Sequence, residues 1–413
     1  MDNKYILNLI CFFLSIFPIT FLLGSLIINL NTIFIVLLFL VYSFKKKDFF
    51  FTKNKSFILL FLLWLSFFIN LYFSSNFDNS FTRTIGFIRF ILLVFSIKLF
   101  FEICNDKQKE FILITWLFIF SIVSIDLIYE FIFGVNTLGF KSYMPGRLAG
   151  FLNEELKIGH LYSAFFLICA VTVFYKTKNI YLLYSFIFFS ILISLLIGER
   201  SNFIRVFMMS VFFLFFFENK NYLKKIIIIM VISSLTLIFI SFNKNYQKRF
   251  YGQFVGPIIK MKNINEIINN TVYGANFDRA IKIFKSNILF GVGIKNFRVE
   301  SSNPKYRNDE LKFNDQAATT HPHQIHLEIL SETGLFGYIS FITFIFFSIF
   351  FALKNFIKTN NLYILSSLVY FIFSLIPILP SGSFFTTFGA TLFWINYSFL
   401  TFDKNSIIKN KNL

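Results

Sequence analysis

Apolar blocks recur along the whole chain, and each is close to the ~20 residues that a helix needs to cross the hydrocarbon core of a bilayer. Backbone groups in lipid must be satisfied within the segment, so these blocks predict helices. The composition agrees, because 56% of the 413 residues are hydrophobic and only 15% are charged. We therefore predict an all-α polytopic membrane protein in which residues 1–413 form a single integral membrane domain.

The apolar blocks define about 12 candidate transmembrane helices, with one long loop between the ninth and the tenth. This loop, at about 243–324, is the only segment large enough to form a small folded unit. In it, Phe277, Ile281 and Phe284 have helical spacing, which predicts short amphipathic helices. The twelve spans lie at roughly residues 5–22, 26–43, 56–73, 85–103, 111–129, 158–175, 180–197, 203–217, 225–242, 325–352, 362–378 and 384–402.

The distribution of basic residues predicts the orientation. Lys and Arg concentrate in cytoplasmic loops. With the N-terminus inside, the inner segments hold 18 Lys or Arg, and the short outer loops hold five. Both termini are therefore predicted to be cytoplasmic, and anchoring accounts for the net charge of +18 without a nucleic-acid partner. The inner segments are Lys4, 45–55, 105–109, 175–179, 218–225, 353–361 and the lysine-bearing tail after residue 403.

Three of the four histidines lie together in HPHQIHLEILSETGLFGY, residues 321–338, where the tenth span begins. A neutral histidine can take a proton from a hydroxyl at a pH near its own pKa. Metal binding is an alternative, because His321, His323 and His326 resemble a zinc ligand set. A further alternative is that at least two of them only lie at the membrane interface. If a helix begins near His323, His326 shares its face.

Arginines lie in separate outer loops. Arg200 is in GERSN, between spans seven and eight, Arg147 precedes span six, and Arg279 is in the long loop. The planar guanidinium donates two parallel hydrogen bonds to phosphate and stays charged. Converging arginines would clamp a diphosphate and stabilise it as a leaving group, with no metal strictly needed. Together with the histidines they favour glycosyl transfer from a lipid diphosphate. For Arg200 the alternative is an anchor that reaches the interface.

One spacing resembles a known family. The pair His323-Gln324 is followed by nine residues and then by Gly334-Leu-Phe-Gly337-Tyr338. This resembles the O-antigen ligase and polymerase superfamily, in which a His followed by Asn, Ser or Gln precedes Gly-x-x-Gly by the same nine residues. GERSN and DRAIKIFKSNILFGVGIKNF also resemble elements of that family, and the resemblance covers about 140–350 as an O-antigen ligase-like core. The chain departs from the family at Phe284, near the position where a tryptophan often follows the loop arginine.

The resemblance implies a metal-independent inverting glycosyltransferase that needs no cofactor. His323 would be the catalytic base, Arg200 and Arg279 would bind the diphosphate, and Arg147 would assist them. The implied donor is a glycan linked to undecaprenyl diphosphate, and the implied acceptor is lipid A-core or a growing glycan. The implied site lies in a bacterial inner membrane, among membrane lipids, and faces the periplasm. The supporting residues are His321, His326, Glu332, Gly334 and Gly337.

Two of the supporting features also have a physical reading. Gly334 and Gly337 are three residues apart on one helix face and would let another helix or a lipid tail approach. Glu328 and Glu332 stack one turn apart, where they would orient a histidine or face other spans.

Other functions remain open on the sequence. A polymerase of the same superfamily shares the motif, so it is the first alternative to a ligase. A transporter, such as a flippase for the lipid-linked glycan, is the second, because twelve spans are common in transporters. Against it, no repeated halves are visible, and mid-span charge is limited to Arg89 and Lys98. A structural membrane protein without activity is the third alternative.

Overall fold

The computed structural model describes residues 3–47, 49–153, 155–217, 222–256, 259, 263–377 and 379–403. Within these residues the protein is helical and contains no strand, as predicted. The principal helices are α1 (Asn3–Ser15), α2 (Phe17–Leu22), α3 (Ser25–Lys46), α4 (Lys55–Leu71), α5 (Phe77–Gly86), α6 (Ile88–Ile103), α7 (Asp106–Phe133), α8 (Ile158–Thr177), α9 (Ile180–Leu196), α10 (Arg200–Phe217), α11 (Tyr222–Phe242), α12 (Ile264–Asn270), α13 (Val272–Ser286), α14 (Ile325–Thr359), α15 (Leu362–Ser374) and α16 (Thr387–Leu400).

A helix lies at each of the twelve predicted spans. Among the described residues, seven helices are long and apolar enough to cross a membrane, which agrees with a multi-pass membrane protein. Three more are apolar but shorter, and the count of twelve crossings stays a prediction. The seven are Ser25–Lys46, Phe77–Ile103, Asp106–Phe133, Ile158–Thr177, Arg200–Phe217, Lys225–Phe242 and Ile325–Thr359, and the three are Lys55–Leu71, Ile180–Leu196 and Leu362–Ser374.

The predicted long loop consists largely of short helices. It includes a π-helical segment, Gln247–Val255, and the helices α12 and α13. Helix α13 ends at Ser286, before the glycines at 291 and 293. Of the segments that we assign to the inner side, residues 218–221 and the tail 404–413 lie outside the described residues.

The helix ends meet around two cavities. The first is lined by the beginnings of α3, α8, α14 and α16 and by the end of α15. The second is lined by the beginnings of α1 and α7 and by the ends of α3 and α6. The alternation of predicted spans puts the first group on the outer side and the second group on the inner side. The helix ends predicted to be outside and those predicted to be inside thus lie around different cavities. Which cavity faces the cytoplasm stays a prediction.

Helix α16 lies at the centre of the bundle. All of its residues except Gly389 are buried, and its N-terminus opens into the first cavity. Trp394 is fully buried and packs against the rings of Phe87, Phe344 and Tyr397. This aromatic core holds the helices whose ends surround the first cavity.

The mid-span cations Lys98 and Arg89 contact neighbours inside the protein. Lys98 Nζ lies 2.7 Å from the Glu102 carboxylate and donates a 2.7 Å hydrogen bond to the carbonyl of Thr401. Arg89 donates to the carbonyl of Gly86 at 2.9 Å, and its guanidinium lies over the Phe90 ring. Lys98 is thus held by an acid and a backbone carbonyl, whereas the buried Nε of Arg89 makes no hydrogen bond to the described residues.

Helix α14 is broken at Gly334, whose φ of 63° and ψ of −167° are not helical. The break frees backbone groups on both sides, and the loop that follows α13 satisfies them. Four hydrogen bonds join the two segments: Val292 N to Ser331 O at 3.1 Å, Gly293 N to Glu332 O at 2.7 Å, Leu335 N to Ile288 O at 2.8 Å and Phe336 N to Leu289 O at 3.0 Å.

The partner of the glycine pair therefore differs from the predicted helix or lipid tail. A Cβ on Gly334 would lie 2.5 Å from the backbone nitrogen of Phe290, so the approaching group is loop backbone. At Gly337 a Cβ would collide with the side chain of Thr333 in the preceding turn. Gly334 therefore allows the break and the loop contact, and Gly337 leaves room for Thr333.

Candidate functional site

Two of the three clustered histidines form a pair just before α14. The ring centroids of His321 and His323 are 4.2 Å apart. His323 has a left-handed backbone, with φ 56°, and its carbonyl accepts a 2.9 Å hydrogen bond from Ser381 N. The helix begins only at Ile325, where the side chain of Gln324 caps Leu327 N at 2.6 Å. His323 is therefore not on the helix face that carries His326, contrary to that expectation.

Both histidines of the pair are in the neutral form, which leaves a ring nitrogen free to accept a hydrogen bond. Burial, together with the charge of Lys295, lowers the pKa of His321 to about 4. Burial and the neighbouring His321 likewise lower the pKa of His323 to about 4. Both rings are therefore neutral at neutral pH. Nδ1 of His321 is 3.1 Å from the Thr320 hydroxyl. Its Nε2 is buried and makes no hydrogen bond of normal geometry to the described residues. The backbone of Ser381 is close to this ring.

His326 is separate from this pair. Its Nε2 is 2.7 Å from the carbonyl of Leu375 and its Nδ1 is 3.2 Å from the hydroxyl of Tyr338, so both nitrogens are occupied. The three histidines thus do not converge on one point. Among the residues that the structure describes, no group of three His, Cys, Asp or Glu side chains is arranged to hold a metal.

Three arginines from three separate segments form the arginine cluster, which we define as Arg147, Arg200 and Arg249. Arg249 Nε donates to the carbonyl of Gly198 at 3.1 Å, and Arg200 donates to the carbonyl of Arg249 at 3.4 Å. Burial, and then the charges of Arg147 and Arg200, lower the pKa of Arg249 to about 10. The cluster is therefore a concentration of positive charge that an anion would relieve.

Tyr273 lies near both the histidine pair and Arg200 of the arginine cluster. Its ring centroid is 5.8 Å from that of His323, and it lies within electrostatic range of Arg200. On the other side, Glu199 lies 3.4 Å from Arg147 and 3.7 Å from His160. The predicted Arg147, Arg200 and His323 are thus brought into one region of the protein.

Arg279 has a different environment. Its guanidinium is buried and donates to the carbonyl of Ser301, and to the carbonyl and the side-chain oxygen of Asn314 at 3.2 and 2.6 Å. It does not join the arginine cluster, and these contacts are those of a residue that holds the loop. The contact of Arg279 with a diphosphate stays a prediction, and these contacts do not favour it.

The loop that Arg279 holds leads to the histidine pair. The Ser301 hydroxyl donates to the carbonyl of Thr319 at 2.9 Å. The Thr319 hydroxyl in turn is 2.9 Å from the carbonyl of His321 and 2.8 Å from Asn276 Oδ1 on α13. Arg279 therefore acts on the position of His321 through this chain of contacts.

The two buried glutamates of α14 bind the loops around the site. Glu332 accepts hydrogen bonds from the backbone nitrogens of Lys295 at 2.8 Å and Phe297 at 3.2 Å. Glu328 accepts from Phe384 N at 2.7 Å and from the Ser383 hydroxyl, to which Lys295 Nζ donates at 2.6 Å. These contacts fix the loop before α14 and the segment before α16.

Beside His321 lies the first cavity, of about 350 Å³, which we call the cationic cavity. The cations that line it are Arg83, Lys157, Arg205, Lys295 and Arg298, together with His160 and His321. Most of these residues were not recognised as site residues from the sequence. In the sequence, Arg83 and Lys157 are notable only as charges in outer loops. The positions of Arg249, Lys295 and Arg298 in the sequence give no indication that they approach the site.

Comparison with known proteins points to one family. Residues 185–342 match the family model described as O-antigen ligase. The matched segment includes Arg200, Arg249, the whole long loop and the histidine pair. A search of curated proteins gave no match. The match of residues 185–342 supports membership of this chain in the O-antigen ligase superfamily.

Proposed function

We propose that the protein moves a glycan from undecaprenyl diphosphate to a hydroxyl of lipid A-core, as an O-antigen ligase. The reaction would take place on the periplasmic side of a bacterial inner membrane, with both termini in the cytoplasm. One observation carries the proposal. A pair of neutral histidines and a cluster of three arginines lie at the same end of the helix bundle, and Tyr273 lies near both.

His323 is the proposed base. The acceptor hydroxyl gives its proton to the ring, and the oxygen attacks the anomeric carbon of the donor sugar. Burial favours the neutral ring, which is the form that accepts a proton. The contact with His321 and the hydrogen bond from Ser381 N hold His323 in one orientation.

The arginine cluster is the proposed diphosphate site. As the bond between the anomeric carbon and the phosphate oxygen breaks, the electron pair passes to undecaprenyl diphosphate, which leaves. Guanidinium groups neutralise this charge through paired hydrogen bonds, so the proposal requires no metal. A single displacement from the face opposite the leaving group inverts the sugar linkage.

The transporter alternative has less support. A carrier places ionisable residues near the midplane of its pathway. In this protein Lys98 is paired with Glu102, Arg89 donates to the backbone of Gly86, and the remaining candidate residues gather at one end. The match to the O-antigen ligase family also favours transfer.

The deciding experiment is a gel of surface lipopolysaccharide from a strain that lacks the gene. A ligase predicts that every glycan-capped form disappears and that wild type, but not His323→Ala, restores them. If single-repeat caps survive and long chains vanish, the protein is a polymerase. An unchanged pattern contradicts both assignments for this glycan. Immunoblots of membranes must show equal amounts of wild type and variant.

A further inference from the structure

We propose that the cationic cavity is a second anion site, and that it takes a phosphate or carboxylate group of the acceptor glycan. This inference rests on the proposed function and specifies its acceptor as a negatively charged glycan. The donor diphosphate would lie in the arginine cluster. The two anions would then lie at two separate positions near the histidine pair.

The charge of the cavity is the first argument. Five Lys or Arg side chains line it, and none of the described lining residues is acidic. Two carboxylates lie just behind the wall. Glu328 is 3.9 Å from Lys295 and is also engaged by Ser383 and the backbone of Phe384, and Glu199 is 3.7 Å from His160 and 3.4 Å from Arg147. Glu332 is engaged by backbone nitrogens, and Glu155 pairs with Lys157 at the exposed rim. Positive charge therefore exceeds negative charge at the cavity wall.

The polar atoms of the wall are the second argument. Nε2 of His321 and Oγ of Ser381 are buried and make no normal hydrogen bond to the described residues. Such atoms usually have a partner. The first turn of α16, from Thr387 to Gly389, also lines the cavity, and its N-cap Thr386 makes no capping hydrogen bond. A helix N-terminus favours an anion.

Position is the third argument. None of the three cluster arginines lines the cavity, and Glu199 lies between Arg147 and His160. His321 lines the cavity, and its ring is in contact with that of His323. An anion in the cavity therefore places the sugar that carries it beside the proposed base. The site thus has the location of an acceptor subsite.

Binding of simple sugars tests the site directly. The full chain in nanodiscs is titrated with glucose 6-phosphate, glucuronate and glucose, and binding is followed by saturation-transfer NMR. We expect both charged sugars to bind about tenfold more tightly than glucose. Comparison of the two charged sugars shows whether phosphate or carboxylate is preferred. Equal binding of charged and neutral sugars overturns the proposal.

Arg298→Ala is the test variant, because Arg298 is exposed at the cavity mouth and its loss should not impair folding. Lys305→Ala is the control, because Lys305 is exposed on the same loop and does not line the cavity. We expect the first to weaken binding of the charged sugars about fivefold to tenfold and the second to leave it unchanged. The same weakening by both variants would indicate nonspecific attraction and would refute the site.

Kinetics separates acceptor from donor. With undecaprenyl-diphosphate-linked glycan and rough lipopolysaccharide, Arg298→Ala should raise KM for the acceptor and leave KM for the donor unchanged. Removal of acceptor phosphates with hydrofluoric acid should abolish this difference if phosphate is the bound group. A higher KM for the donor assigns the cavity to the diphosphate and overturns the acceptor role. If wild type binds charged sugars but transfers no glycan, the proposed function fails and only the anion site stands.

Discussion

Gly291 lies directly against the backbone of Gly334. A Cβ on Gly291 would be 2.6 Å from the backbone nitrogen of Gly334, and both glycines have positive φ angles. The contact joins the glycine motif of the long loop to the glycine motif of α14. It therefore sets the position of the loop that carries Lys295 relative to the helix that begins after the histidine pair.

Gly334→Ala should destabilise the protein by roughly 2–4 kcal/mol, because it combines a left-handed backbone with a collision against the loop. The three cysteines are free and buried, so a thiol-reactive dye reports thermal unfolding in detergent. Gly252→Ala is the control, since nothing lies within 4 Å of its Cβ position. Equal melting of the two variants would show that the contact is not important for stability.

The sequence predicted the helices well, because a membrane span is fixed by local composition and length. It could not predict the contact between Gly291 and Gly334. That contact depends on hydrogen bonds between segments about forty residues apart, and on a break that the apolar pattern of α14 does not reveal. The residue spacing in the sequence identified both glycine motifs. It did not indicate that the two motifs contact each other.

The arginines show the same limit. Arg147 and Arg200 were predicted and do come together, but the third member of the cluster is Arg249 and not Arg279. Arg249 lies in QKRFYG, between residues that carry no recognisable motif. Its approach depends on how the π-helical segment folds over Gly146 and Gly198, which is a long-range property.

Arg249→Ala should lower kcat/KM for the donor by about 10-fold to 100-fold, since a hydrogen bond to a charged group contributes roughly 1.5–3 kcal/mol. The measurement is transfer in detergent with donor concentration varied. Lys248→Ala is the matched control, because it removes an exposed charge from the same π-helical segment. A donor KM and kcat unchanged in Arg249→Ala would exclude this arginine from the diphosphate site.

Arg279→Ala should act through the loop instead. Loss of its bonds to Ser301 and Asn314 should increase amide hydrogen exchange in residues 297–320 and lower kcat, because His321 loses its support. Lys285→Ala, an exposed change on the same helix, should alter neither. Unchanged exchange together with a higher donor KM would instead support the predicted contact of Arg279 with the diphosphate.

The pH dependence of transfer should reflect the buried histidines. The base form is the neutral ring, and it is lost only as the pH falls through a pKa of about 4. We expect kcat/KM at pH 5.5 to remain close to its value at pH 7.5. An unperturbed histidine, with a pKa near 6.5, would lose about tenfold over the same interval. Return to pH 7.5 must restore the rate, which excludes acid denaturation, and a midpoint near pH 6.5 would contradict the burial of the base.

Lys295 and Glu328 should be energetically coupled. Both are buried, their charged atoms are 3.9 Å apart, and each contacts the hydroxyl of Ser383. Lys295→Met or Glu328→Gln alone leaves a buried group without its partner, which costs roughly 3–5 kcal/mol. The double variant should be less destabilised than the sum of the two, by about 0.5–3 kcal/mol in a thermal unfolding cycle. If the two destabilisations were strictly additive, Ser383 would satisfy Lys295 and Glu328 independently. The contact between the loop before α14 and the segment before α16 would then not depend on the Lys295–Glu328 pair.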